Sequence, residues 1–202
     1  MGLALCAGLL AVGLSTPAWA RVTGSYSDAV SVSATAMTQS LGQQVDSNLA
    51  AARSTLLAQG MMPQPMMTYV AILSPQAVVP NAPRSDARGA VGAVLVGNRL
   101  VVRASFRDLT SGPRNYETDP VDPPNPNITS AFHIHRGSPM ENGPFQYALE
   151  VMLNDTGMGG DARGEFTLTP EQVQALNDGM LYVDLHTTRH RGGELRGVLM
   201  AG

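Results

Sequence analysis

From residue 68 onward the chain is cut into β-type runs of five to eight residues by glycine, proline and asparagine. The runs are 69–73, 90–96, 99–106, 130–135, 147–153, 164–168, 181–186 and 194–200. They are too short for ordinary helices and suit strands joined by tight turns. Gly97-Asn98 separates two of them by two residues, the spacing of a β-hairpin. One helical turn interrupts the series: Thr169-Pro170-Glu171 opens it, proline standing at a permitted first-turn position, and Gly179 lies beyond its end at Leu176. At least seven such strands predict an all-β, antiparallel sandwich. Composition agrees, with 21 Gly, 14 Pro and only 5% aromatic residues in 202.

The segment before residue 68 has a different pattern. Residues 3–14 are an apolar run, followed by Ala18-Trp19-Ala20, whose small first and third residues suit a signal peptidase. No basic residue precedes the run. The expectation is a signal peptide over 1–20, export to the periplasm or medium of a bacterium, and no transmembrane segment after cleavage. Residues 21–67 are expected to hold a short helical segment and a linker. Leu41, Val45, Leu49, Ala52 and Leu56 recur at three- and four-residue steps up to Gly60, which is helical spacing. Residues 29–37 alternate apolar and hydroxyl side chains and fit a strand or a helical extension. Met61-Met62-Pro63-Gln64-Pro65-Met66-Met67 reads as a linker packing its thioethers on the domain, with a Cu(I) role as the sharper alternative. Residues 68–202 then form the β domain, expected to fold by itself. Residues 113–127, with five prolines, are expected to be a stiff surface loop.

Charge and cysteine content narrow the chemistry. A net charge of -3, without lysine and with scattered arginines, offers no track for phosphates, so nucleic acid is not an expected partner. The single cysteine, Cys6, lies in the apolar run. After cleavage no thiolate remains, and a metal would be held by histidine, carboxylate or methionine.

All four histidines fall in two short segments, His133 and His135 in one and His186 and His190 in the other. Strand alternation puts Phe132 and Ile134 on one face and His133 and His135 on the other, which is expected to be the solvent side. Their Cα atoms are then about 7 Å apart, near enough for both imidazoles to reach one ion at about 2 Å. Alternation over 181–186 buries Leu181, Val183 and Leu185 and turns Tyr182, Asp184 and His186 the other way, so a third ligand could come from a neighbouring strand. The expected ligands are His133, His135 and His186, with His190 as a fourth ligand or outer partner. Copper is expected ahead of zinc, because it tops the affinity order for imidazole sites. In the run Gly192-Gly193-Glu194-Leu195-Arg196, a sharp turn leads into a strand, and Arg196 is expected to pair with Glu194 or Asp184, with attraction of an anion as the alternative.

Three stretches together resemble the CHRD (chordin) domain family: Tyr69-Val70-Ala71-Ile72-Leu73-Ser74 to Gly89; His133-Ile134-His135-Arg136-Gly137 with Asn142-Gly143-Pro144; and Tyr182-Val183-Asp184-Leu185-His186-Thr187 to Gly192-Gly193-Glu194-Leu195-Arg196-Gly197-Val198-Leu199. The resemblance implies an Ig-like or Cu,Zn-superoxide-dismutase-like sandwich. In the dismutase family an H-x-H strand and a later strand-end histidine hold copper, which would correspond to His133, His135 and His186. That family's bridging histidine, zinc cluster and disulfide have no counterpart here, and residues 113–127 form a longer insertion than is usual for CHRD sequences.

Three functions are weighed. One is an exported metal-binding protein. Another is a metal-independent adhesion or protein-interaction module, which the association with chordin favours. The third is a copper-dependent oxidoreductase of superoxide-dismutase type. No Ser-His-Asp spacing or phosphate-binding glycine loop points to a hydrolase.

Overall fold

A computed structural model describes residues 26–61 and 65–202. The proposed signal segment and the middle of the Met/Pro linker lie outside the described residues. Two compact units divide the chain, residues 1–37 and 38–202. Of the first, the helical course from Tyr26 is described; the second carries the sheet.

Helix α1 runs Tyr26–Ala58, so the alternation at 29–37 resolves as helix. It ends where Gly60 takes a φ of +76° and Met61 N–H donates to Leu56 O, closing the last turn. In its second half Ala52 and Leu56 are fully buried and pack on Val94, Val96 and Val101, with Leu49, Met61 and Met66 at the margin. The Asn48 side-chain amide donates to Ala90 O at 3.0 Å. The compact unit therefore begins upstream of residue 68 and includes this part of the helix. Met61 and Met66 pack against this cluster, and Met66 and Met67, expected in the linker, already belong to the first strand.

Nine strands follow among the described residues: β1 Met66–Leu73, β2 Arg88–Val96, β3 Arg99–Arg107, β4 Phe132–Arg136, β5 Phe145–Leu153, β6 Gly160–Thr167, β7 Leu181–Leu185, β8 Leu195–Val198 and β9 Met200–Ala201. Helix α2, Pro170–Asn177, bridges β6 and β7 and opens with a capping box between Thr169 and Gln172. The strand order is β8-β7-β4-β5-β6-β3-β2-β1-β9, every pair antiparallel. The C-terminal run closes this sheet almost into a barrel: β8 pairs with β7, β9 pairs with β1, and Ser74 exchanges backbone hydrogen bonds with Arg196. The β2–β3 turn is the expected two-residue one, Val96 facing Arg99 and Gly97 at a φ of +61°.

The interior is filled by alternate residues of the facing strands, including Leu73, Val91, Leu95, Leu100, Val102, Phe132, Ile134, Leu149, Leu181, Val183, Leu185 and Leu195. Phe132, Ile134, Val183 and Leu185 thus occupy the side that alternation predicts. Among the described residues no helix is long and apolar enough to cross a membrane.

Candidate metal centre

Strand register builds the centre. In the β4–β7 pair His133 lies directly opposite Asp184 and His135 opposite Tyr182. Because side chains alternate, His133, His135, Tyr182 and Asp184 share the face away from the core, and His186, two residues after Asp184, joins them at the strand end. The β4–β5 pairing slips between Ile134 and His135, which sets His135 opposite Phe145.

One ligand atom from each of His133, His135, Asp184 and His186 lies within 4.8 Å of the others. Asp184 Oδ1 is the hub: His186 Nε2 is 3.1 Å away, His135 Nε2 3.2 Å and His133 Nδ1 3.9 Å. Ligands about 2 Å from a common ion lie about 3.3–4 Å from one another, so the four atoms need to draw in by less than about 1 Å to share one.

The far side of each imidazole is already occupied. His133 Nε2 is 2.6 Å from Ser130 O, His135 Nδ1 is 3.0 Å from Gly143 O and His186 Nδ1 is 2.8 Å from Arg191 O. A carbonyl oxygen only accepts, so each of these nitrogens carries a hydrogen, and in the neutral rings the opposite nitrogen presents its lone pair to the centre. A backbone carbonyl behind a histidine is how metal-ligating imidazoles are commonly oriented. Gly143 must be glycine here, since a Cβ would stand 1.9 Å from Arg136 O.

The histidine face is not the solvent side. His133 is 2% exposed and Asp184 6%. The expected surface loop is folded down over them: Tyr116 tilts over His133 at 5.4 Å between ring centroids and meets His186 edge-on at 6.5 Å. Arg114 ties this cover to the strand end by donating its N–H to His186 O, and it forms an ion pair with Asp119 at 2.9 Å. Phe145 stands edge-on to His133 and His135, and Tyr182 stacks on His135 at 5.1 Å. The reason is geometric: a polar face over this central pair of strands is available to a loop long enough to cross it.

Burial, and then repulsion from His186, push the His133 imidazole down to about 4, so it is neutral at pH 7. Burial works against charge on both members of the next pair, but mutual attraction wins. His186 is raised above its ordinary value by Asp184, and Asp184 is held below the carboxylate range by His186 and by its contacts with His135. Without a metal, Asp184 therefore favours the protonated form of His186. His135 Nε2 is buried with no hydrogen-bond partner, 3.2 Å from Asp184 Oδ1.

Three of the four sequence-predicted ligands, His133, His135 and His186, are brought together. His190 is not in this group. It sits on the turn after β7, where its N–H donates to Thr187 Oγ1 and its carbonyl accepts from Gly193, which directs it to a separate cleft. Asp184 is the member that histidine counting misses; its place on the Tyr182–His186 face is the signal that could have found it. The pairing expected of Arg196 is replaced by another. Its guanidinium lies 3.6 Å over the Tyr182 ring and donates to Asn142 Oδ1 at 3.0 Å and to Glu141 O. Glu194, fully buried, instead accepts from Ser85, from both N–H and hydroxyl of Thr110, and from Thr187. It fastens the loops around the centre.

The fold and centre define a β-sandwich protein with a buried His₃Asp cluster. The family model for the CHRD domain matches residues 69–199, and the chain belongs to that family. No curated protein and no solved structure matches it.

Proposed function

We propose that this is an exported protein that binds one transition-metal ion through His133, His135, Asp184 and His186, copper ahead of zinc. The observation that carries the reading is the convergence of three ring nitrogens, each backed by a carbonyl, on one buried carboxylate oxygen. Lone pairs and a carboxylate gathered out of water repel one another unless a cation lies among them. A proton on His186 answers this for one nitrogen; a divalent ion answers it for all three. The donor set of three imidazoles and one carboxylate suits Cu(II) or Zn(II), and copper forms the stronger complexes with nitrogen ligands. The apolar run and Ala18-Trp19-Ala20 support export.

Metal analysis of protein isolated from the periplasm or medium tests the proposal. One copper per chain is expected, with a nitrogen-rich paramagnetic resonance spectrum lost in the His133→Ala/His135→Ala variant. A wild type that binds copper no better than this folded variant would leave the interaction-module reading. A superoxide assay on the loaded protein separates a binding role from an oxidoreductase. Recovery of the exported form with residues 1–20 still attached would refute cleavage after Ala20.

A further inference from the structure

We propose that the cleft between residues 78–83 and the turn 189–193 is a binding site for a small oxyanion, a molecule presenting phosphate or carboxylate oxygens. The cleft encloses about 420 Å³ and gathers Arg189, His190 and Arg191 with the amides of Asn81 and Asn142. No carboxylate is among its lining residues. In a chain whose acidic residues outnumber its basic ones, 16 to 13, two arginines with no carboxylate in the lining are a local reversal of the overall charge.

Two of these groups lack partners. The Arg189 guanidinium makes no hydrogen bond or ion pair among the described residues, although its backbone N–H is held by Ser111 Oγ. His190 Nε2 is buried and unpartnered. The Arg189 side chain is exposed at the cleft, and a planar guanidinium presents paired N–H groups matched to an oxyanion. Arg191 is engaged at the rim by Asp119, the acid that a ligand would have to share or displace. The turn is prearranged, with Thr187 Oγ1 accepting from His190 N–H, Gly193 N–H donating to His190 O, and Gly193 at a φ of +121°. The site absorbs the one histidine that the metal centre does not use, and it stands without any metal being bound.

Isothermal titration of the full chain, stripped of metal by a chelator and held at constant ionic strength with chloride, tests this with inorganic phosphate in one arm and citrate in the other. Binding of one of them is expected, and the arm that binds assigns the headgroup. Arg189→Ala and Arg191→Ala are each expected to weaken it at least about tenfold, the effect of one charge-assisted hydrogen bond. His133→Ala/His135→Ala should bind within about twofold of wild type, neither histidine being among the residues that line the cleft. The proposal is overturned if neither anion binds tighter than about 10 mM, if both cleft variants bind as wild type, or if the double histidine variant alone loses binding.

Discussion

Asp184→Asn is the substitution that best separates a metal centre from a buried salt bridge. It keeps the shape of a residue that is 6% exposed and removes the charge at the point where three imidazole nitrogens converge. In the metal-free protein the loss is moderated, because His186 can release its proton once its partner is neutral. In the loaded protein nothing replaces the carboxylate. A loss of metal affinity of about thirtyfold is expected, inside the 10–100-fold range seen when groups supporting a metal are removed. At a free metal concentration 100 times the wild-type Kd, binding stabilises the wild type by about 2.7 kcal/mol. For a chain of this size that is a rise of about 5–10 °C in Tm over the chelated sample. The variant at the same free metal retains about 0.9 kcal/mol, a rise of about 2–4 °C. Paired melts of both proteins, with metal buffered and with chelator, give the four numbers needed. Equal metal-induced rises in the two proteins would refute Asp184 as a ligand, and no rise in either would refute the centre.

The pH dependence should run in opposite senses for stability and for metal binding. His186 has a raised folded pKa, so its pairing stabilises the metal-free fold fully below 6.5 and is lost as pH climbs through the folded value; Asp184, depressed, contributes above 3.8 and is lost on acidification. His133, at about 4 when folded, destabilises only below about 6.5, so melts above that pH isolate His186: Tm of the chelated protein should fall with rising pH while metal affinity rises, and His186→Gln should flatten the melt trend. Tyr116→Ala removes the ring over His133 and His186 without removing a proposed ligand; affinity should stay within a few-fold while metal loss to a chelator, followed by absorbance, speeds about tenfold. Gly92→Ala would drive a Cβ to within 2.5 Å of Leu49 N, so it should lift α1 from the sheet at a cost of about 1–3 kcal/mol in urea unfolding. Residues 68–202 alone should fold with lower Tm than 38–202 and bind a hydrophobic dye, because Val94, Val96 and Val101 lose their cover.

The sequence by itself determined the strands, because period two is a local property: each residue's face follows from its neighbour's, and Gly97-Asn98, Gly60 and Thr169-Pro170 punctuate the chain through their own backbone preferences. It also put His133 and His135 on one face and aligned His186 with Tyr182 and Asp184. What it left open was non-local. That β4 pairs with β7, and in the register that sets His133 against Asp184, depends on how the whole sheet closes through β8 and β9. That the polar face is buried depends on a proline-rich loop crossing it, with Arg114 and Tyr116 finding partners far along the chain. Residues 29–37 were ambiguous for a related reason: alternating small apolar and hydroxyl side chains satisfy both periods, and the structure continues them as α1. His190 shows the division most plainly. Its distance in sequence from His186 is short, but the turn held by Thr187 and Gly193 points the chain away, so proximity in sequence did not become proximity in space.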